Sequence, residues 1–143
     1  MTRGRPRTTE VKIVEGVMHG IGTLFRALFR RSRGLALGDR EQFRMRLNAL
    51  SARAQTPNAH ERAMVLIEAD SLFDAVLRAL HLPGQTMAER LRSASSRFGR
   101  FDAVWDAHRI RNRLVHEHDQ GLSSEELLRT LQAYTHALSR LGV

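Results

Sequence analysis

The chain has 143 residues, enough for one compact domain with a real core plus an appendage. It contains no Cys, which excludes disulfides and Cys-ligated metals and leaves the redox compartment open. Its 23 basic and 15 acidic residues leave a net +8, and the excess is all N-terminal: residues 1–54 hold 12 basic and 4 acidic residues, residues 55–143 hold 11 of each.

Only one basic residue is Lys. An Arg-rich chain reads either as recognition of phosphate by planar guanidinium forks or as a consequence of genome base composition. No run of 18 apolar residues occurs, and no basic start, apolar run and small-residue cleavage site follow one another, so neither a secretory signal nor a membrane span is expected. Residues 1–10 read as a flexible basic tail. Its RGRP string looks like the core of the AT-hook, whose Arg side chains enter the minor groove of A·T-rich DNA; a solvated tail is the plainer alternative.

Residues 11–33 form the first strongly patterned stretch. Val11, Ile13, Val14, Val17, Met18, Ile21, Leu24, Phe25, Leu28 and Phe29 fall on one helical arc of about 160°. Glu15, Lys12, His19, Thr23 and Arg26 share the other side with Gly16, Gly20 and Gly22, and the segment closes in Arg30, Arg31 and Arg33. Three Gly in an exposed helix cost about 0.8–1 kcal/mol each, so something outside this helix must stabilise it. Packing onto the following domain, lying in an anionic membrane surface and binding a partner helix are the three placements that fit. Spanning is disfavoured, because Glu15, His19 and Arg26 would sit in hydrocarbon.

Gly34 to Gly38 reads as a linker, and Asp39 as the cap of a basic helix to about Ala54 with Phe43, Leu47 and Leu50 inward and Arg40, Arg44 and Arg46 outward. Thr56 and Pro57 break the chain. Asn58 with Glu61 then opens a long helix to about Leu80, the main core helix, through Met64, Ile67, Leu72, Phe73, Val76, Leu77 and Leu80; Glu68, Asp70 and Asp74 give it an acidic side, with Asp74 able to pair with Arg78. Pro83 and Gly84 end it. Thr86 and Glu89 open a helix with Met87, Leu91 and Ala94 inward, which Gly99 stops, and Ser123 with Glu126 opens the last, carrying Leu127, Leu128, Leu131, Tyr134, Leu138 and Leu141.

Between these lies the stretch around which the sequence pattern is organised, Phe101 to His118, FDAVWDAHRIRNRLVHEH, with the only Trp and three of the seven His. At about 100° per residue, Arg111, Val104, Val115, His108, Phe101, Asn112, Trp105 and His116 occupy one stripe about 140° wide, bordered by Arg111 and His116. Ala107, Ile110 and Leu114 make a narrower second apolar stripe, and Arg109, Arg113 and Glu117 point away from both. With no sustained period-two alternation, the chain is all-α: an up-and-down bundle of four to five helices over residues 39–143, preceded by the separate basic amphipathic helix.

The string RNRLVH, Arg111 to His116, matches R-N-x-x-x-H on the penultimate helix of a small all-α domain. In this it resembles the HEPN superfamily, whose ribonuclease members carry Arg, a polar residue and His at this spacing; the wider phrase, an aromatic then His-x-x-Arg-Asn-x-Leu-Val-His-Glu, also looks like small bacterial helical proteins grouped near it. The resemblance covers residues 58–141. It implies metal-independent RNA cleavage at a homodimer interface in the cytoplasm. The net-neutral bundle has no broad basic groove of its own, which suits a toxin-type protein controlled by an antitoxin-like partner, or a protein, catalytic or not, held at the inner face of the membrane by residues 11–33. The implied catalytic residues are Arg111, His116 and Asn112, with His108 as a second acid or base, and no cofactor or metal is implied. RNA contacts would fall to Arg109, Arg113, Arg40 and Arg44. The chemistry is sensible by itself: an imidazole takes the proton of a ribose 2′-OH, and a guanidinium holds the charge that develops on phosphate. The competing reading is architectural. Arg111 then pairs with Asp70 or Asp74, His116 caps its helix, and the domain is a non-catalytic binding or interaction module. A metal site at His116 and His118 is disfavoured, because the two side chains diverge by about 200° on one helix.

Overall fold

The computed structural model describes residues 35–116 and 121–143, all within one compact unit. The expected tail and amphipathic segment lie outside the described residues, as do Glu117 and His118. Among the described residues the secondary structure is entirely helical: α1 (Leu37–Arg53), α2 (Ala59–Ala79), α3 (Met87–Phe98), α4 (Asp102–His116) and α5 (Ser124–Arg140). The all-α bundle is as the periodicities require. No described helix is long and apolar enough to cross a membrane.

The expected linker and first cap need correction. Leu35 is buried, Ala36 is the extended residue before the helix, and α1 starts at Leu37 with Gly38 inside its first turn. Asp39 therefore sits in the first turn, where a carboxylate complements the positive end of the helix dipole, and caps nothing with its side chain. The other starts are closer to expectation. Asn58 accepts the backbone N–H of His60 and of Glu61, Thr86 accepts that of Glu89, and Ser123 with Glu126 makes the full reciprocal box. Each such cap is worth about 1 kcal/mol. The partners differ in detail: Glu61 accepts from the Thr56 hydroxyl, and Glu89 accepts the N–H of Gln85, one residue before the cap. The backbone N–H groups of Gln85 first, and then Thr86, hold the Glu89 carboxyl below its ordinary pKa.

The hub of the bundle is α2, which packs against all four other helices; α5 adds contacts to α1 and α4. Val65, Leu66, Ala69, Leu72, Phe73, Val76 and Leu77 are all buried, along an arc of about 140° of α2. By contrast α4, the stretch that dominates the sequence pattern, buries Val104 and Ala107 fully and Ile110 and Leu114 partly, with Phe101 buried just before its first residue. Its inward face thus runs between the two anticipated stripes. Val115, expected within the main stripe, is 41% exposed, as Met64 and Leu128 also prove to be exposed, because their neighbours do not extend over those parts of the helix surfaces.

Two connections hold α3, and the first of them leads into the cleft described below. After α2 the chain turns through His81 in left-handed geometry and reaches Gly84 at φ +145°. A Cβ at Gly84 would come within 2.6 Å of the Arg90 backbone nitrogen, so only Gly lets this loop lie against α3. At the far end of α3, Gly99 (φ +85°) reverses the chain, and the Arg140 guanidinium packs over Phe101, 4.5 Å from its ring centroid, while donating to the carbonyls of Phe98 and Arg100.

Candidate functional site

A charged residue at a core position is costly unless it is paired. Two occur here. Asp70 follows Leu66 by four residues and precedes Phe73 by three on the buried face of α2, and it is 4% exposed. Arg90 stands three residues after Met87 and four before Ala94 on the inward face of α3, and it is 8% exposed. Asp70 accepts the Tyr134 hydroxyl of α5 at 2.8 Å and faces His108 Nδ1 of α4 at 2.9 Å, both on Oδ1. Its Oδ2 lies 3.5 Å from Arg111 Nε. Arg90 holds Asp74 through two parallel bonds of 2.7 and 3.0 Å and donates to the Gly84 carbonyl, while Arg78 reaches the same carboxylate from one turn away. The acidic side anticipated for α2 therefore divides: Asp70 is core, Asp74 is the half-buried anchor of Arg90, and Glu68 pairs at the surface with Arg53.

These groups surround a cleft of about 330 Å³ between α2, α4 and the start of α3, with Asp70, Asp74, Arg78, His108, Arg111 and Asn112 in its walls. Thr86, Met87 and Ala88 also line it, so the first turn of α3, whose leading N–H groups have no partner within a helix, opens onto the same space. Arg111 and Arg78, at 30% and 61% side-chain exposure, are more exposed than the carboxylates they face, Asp70 and Asp74 at 5% and 16%, so the charge nearer solvent in the cleft is positive. Because Asp70 occupies His108 Nδ1, the remaining ring nitrogen, Nε2, is the one available to a ligand. Arg111 donates from Nη1 to the Asn112 amide oxygen at 3.0 Å, which orients both side chains on the cleft wall. Tyr134 is wholly buried, and burial first, then the neighbouring Asp70 carboxylate, raise its pKa well above the ordinary tyrosine value.

Of the residues singled out in sequence, His108, Arg111 and Asn112 meet in this cleft. His116 does not join them within one chain: it is the last residue of α4 and is exposed. Arg111 pairs with Asp70, one of the two partners anticipated for it. Arg109 is exposed and pairs with Asp106 one turn back. Arg113, expected to point outward, is half-buried toward α5, 3.9 Å from Glu126. Arg40 donates to the Leu35 carbonyl and Arg44 pairs with Glu41 at the surface, both on α1 and away from the cleft. Sequence reasoning passed over Arg90 and the hydroxyl of Tyr134. Arg90 carried a signal, a cation in the i, i+3, i+4, i+7 register of Met87, Leu91 and Ala94; the Tyr134 hydroxyl carried none, since its ring fits an ordinary core position. Compared with protein-family models, curated proteins and solved structures, the chain matches none.

Proposed function

We propose that this chain is a HEPN-like, metal-independent endoribonuclease whose cleft holds the phosphate of RNA. The observation that carries the reading is convergence: the guanidinium groups of Arg111 and Arg78, one imidazole with a committed Nδ1 and the opening turn of a 12-residue helix face the same cleft. Arg111 and the first N–H groups of α3 hold the phosphate oxygens. His108, oriented by Asp70 as a buried carboxylate orients an imidazole in hydrolytic sites, takes the 2′-OH proton through Nε2. Attack of that oxygen on phosphorus expels the 5′-oxygen of the next nucleotide and leaves a 2′,3′-cyclic phosphate. The leaving oxygen needs a proton, and His116 of a second copy supplies it at the dimer interface that the resemblance implies. Exposed Val115 and His116 lie on the surface that this second copy covers.

Purified protein incubated with mixed RNA and a chelator tests this. Cleavage is expected to persist with the chelator and to end in cyclic phosphate; His108→Ala and Arg111→Lys are each expected to lower the rate by about 10²-fold or more. Arg111→Lys keeps the charge beside Asp70, so it separates loss of the fork from loss of the fold. A folded wild-type protein that leaves RNA intact would sink the enzyme reading. A second reading is favoured by the Arg111–Asp70 pair itself: as architecture it serves a non-catalytic interaction module, and then Arg111→Ala unfolds the domain while RNA is untouched by the wild type.

A further inference from the structure

Beside the cleft, and sharing only Ser71 with it among the described lining residues, a second and larger depression of about 470 Å³ runs between α1 and α2. Its floor is apolar, built from Ala49, Leu50, Ile67, Leu72 and Ala75, and its rim carries Arg46 together with the Arg53–Glu68 pair. Two exposed methionines extend the same helix faces. Met45 stands one turn before Ala49 and is 62% exposed; Met64 stands one turn before Ile67 and Glu68 and is 40% exposed. Methionine is the side chain that adapts to varied apolar partners, and open Met-bearing grooves take the apolar faces of helices.

The chemistry of the occupant follows from what the groove holds and what it lacks. No aromatic side chain is among the described residues that line it, so it offers no platform on which nucleobases stack. Arg46 is exposed and meets no carboxylate among the described residues, and Arg53 already shares its charge with Glu68, so the rim presents net positive charge. We propose that this groove docks an amphipathic helix of a partner protein, apolar on the face it buries and acidic along its flank. Ser71 lies on both the groove and the cleft, so a helix seated in the groove lies beside the approach to His108 and Arg111. The docking itself is independent of RNA cleavage.

The test uses the full chain and a labelled designed helix of about 15 residues, with Leu on one face and Glu on its flanks, beside a twin in which every Glu is Lys. Fluorescence anisotropy is expected to show saturable binding of the Glu helix and at least tenfold weaker binding of the Lys twin. Arg46→Glu is expected to weaken binding about fivefold through rim charge, and Ala49→Glu to abolish it while leaving the circular-dichroism spectrum unchanged. Absence of saturable binding, equal binding of the twins, or indifference to Ala49→Glu would each overturn the proposal. So would self-association lost in Ala49→Glu, which assigns the groove to a second copy, or an RNA oligonucleotide that binds the wild type and not Ala49→Glu.

Discussion

Val104 and Ala107 near the start of α4 are sealed in the core, whereas Val115 and His116, three turns later, stand in solvent. Between these two ends the helix passes its polar residues, His108 and Arg111, to a buried carboxylate on another helix. The difference shows that a helical stripe is a list of candidates, and that its neighbours select among them. α2 and α5 cover one side of α4 down to Arg113 and Leu114, whereas Val115 and His116 face away from that side and are exposed. Arg111 and His116, five apart in sequence and at opposite borders of one stripe, thereby come to serve different surfaces.

The comparison can be broken most severely at the buried carboxylate. Arg111→Ala leaves Asp70 charged and held only by the Tyr134 hydroxyl and His108, and breaking a buried pair in this way costs about 3–5 kcal/mol; urea unfolding should show a loss toward the lower end of that range, since Arg111 is partly exposed. Truncation of the apolar residues sharpens the contrast between the ends. Val104→Ala is expected to cost about 2 kcal/mol, because Val104 is fully buried, while Val115→Ala at the exposed end should stay within about 0.5 kcal/mol in the isolated chain. If Val115→Ala instead costs as much as Val104→Ala at high protein concentration and little on dilution, a second copy covers that end.

A smaller effect is expected at Tyr134. Replacing its hydroxyl by hydrogen in Tyr134→Phe removes one bond to a charged acceptor, about 1.5–3 kcal/mol at neutral pH. The pH dependence has a definite sign. The folded-state pKa of Tyr134 is raised, so its stabilising contribution is fully present below the ordinary tyrosine pKa of about 10, and is lost as pH rises beyond it because only the unfolded chain then ionises freely. Alkaline unfolding should therefore be less steep in Tyr134→Phe than in the wild type. The smallest expected change is in His116→Ala, within about 0.5 kcal/mol of the wild type in unfolding, which makes any loss of RNA cleavage in that variant a statement about chemistry.

Helix existence, helix starts and most of the core were legible from the sequence because they follow from local rules: the 3.6-residue period marks buried faces, and a short polar side chain before an apolar run satisfies the first free N–H groups. Asn58, Thr86 and Ser123 are caps for that reason, and Phe73, Leu77, Leu91 and Leu131 are core for the other. The sequence placed Asp70 on an acidic side of α2 and offered it or Asp74 to Arg111, while Arg90, a charge in an apolar register, was passed over. Only the tertiary structure decided that α2 is the hub, that Asp70 joins Tyr134, His108 and Arg111 from two other helices, and that the start of α3 opens onto that same cleft. The reason is physical. A buried charge must find its partners in three dimensions, at separations of 38 and 64 residues for His108 and Tyr134, and helical periodicity carries no information about which face of which helix will arrive there.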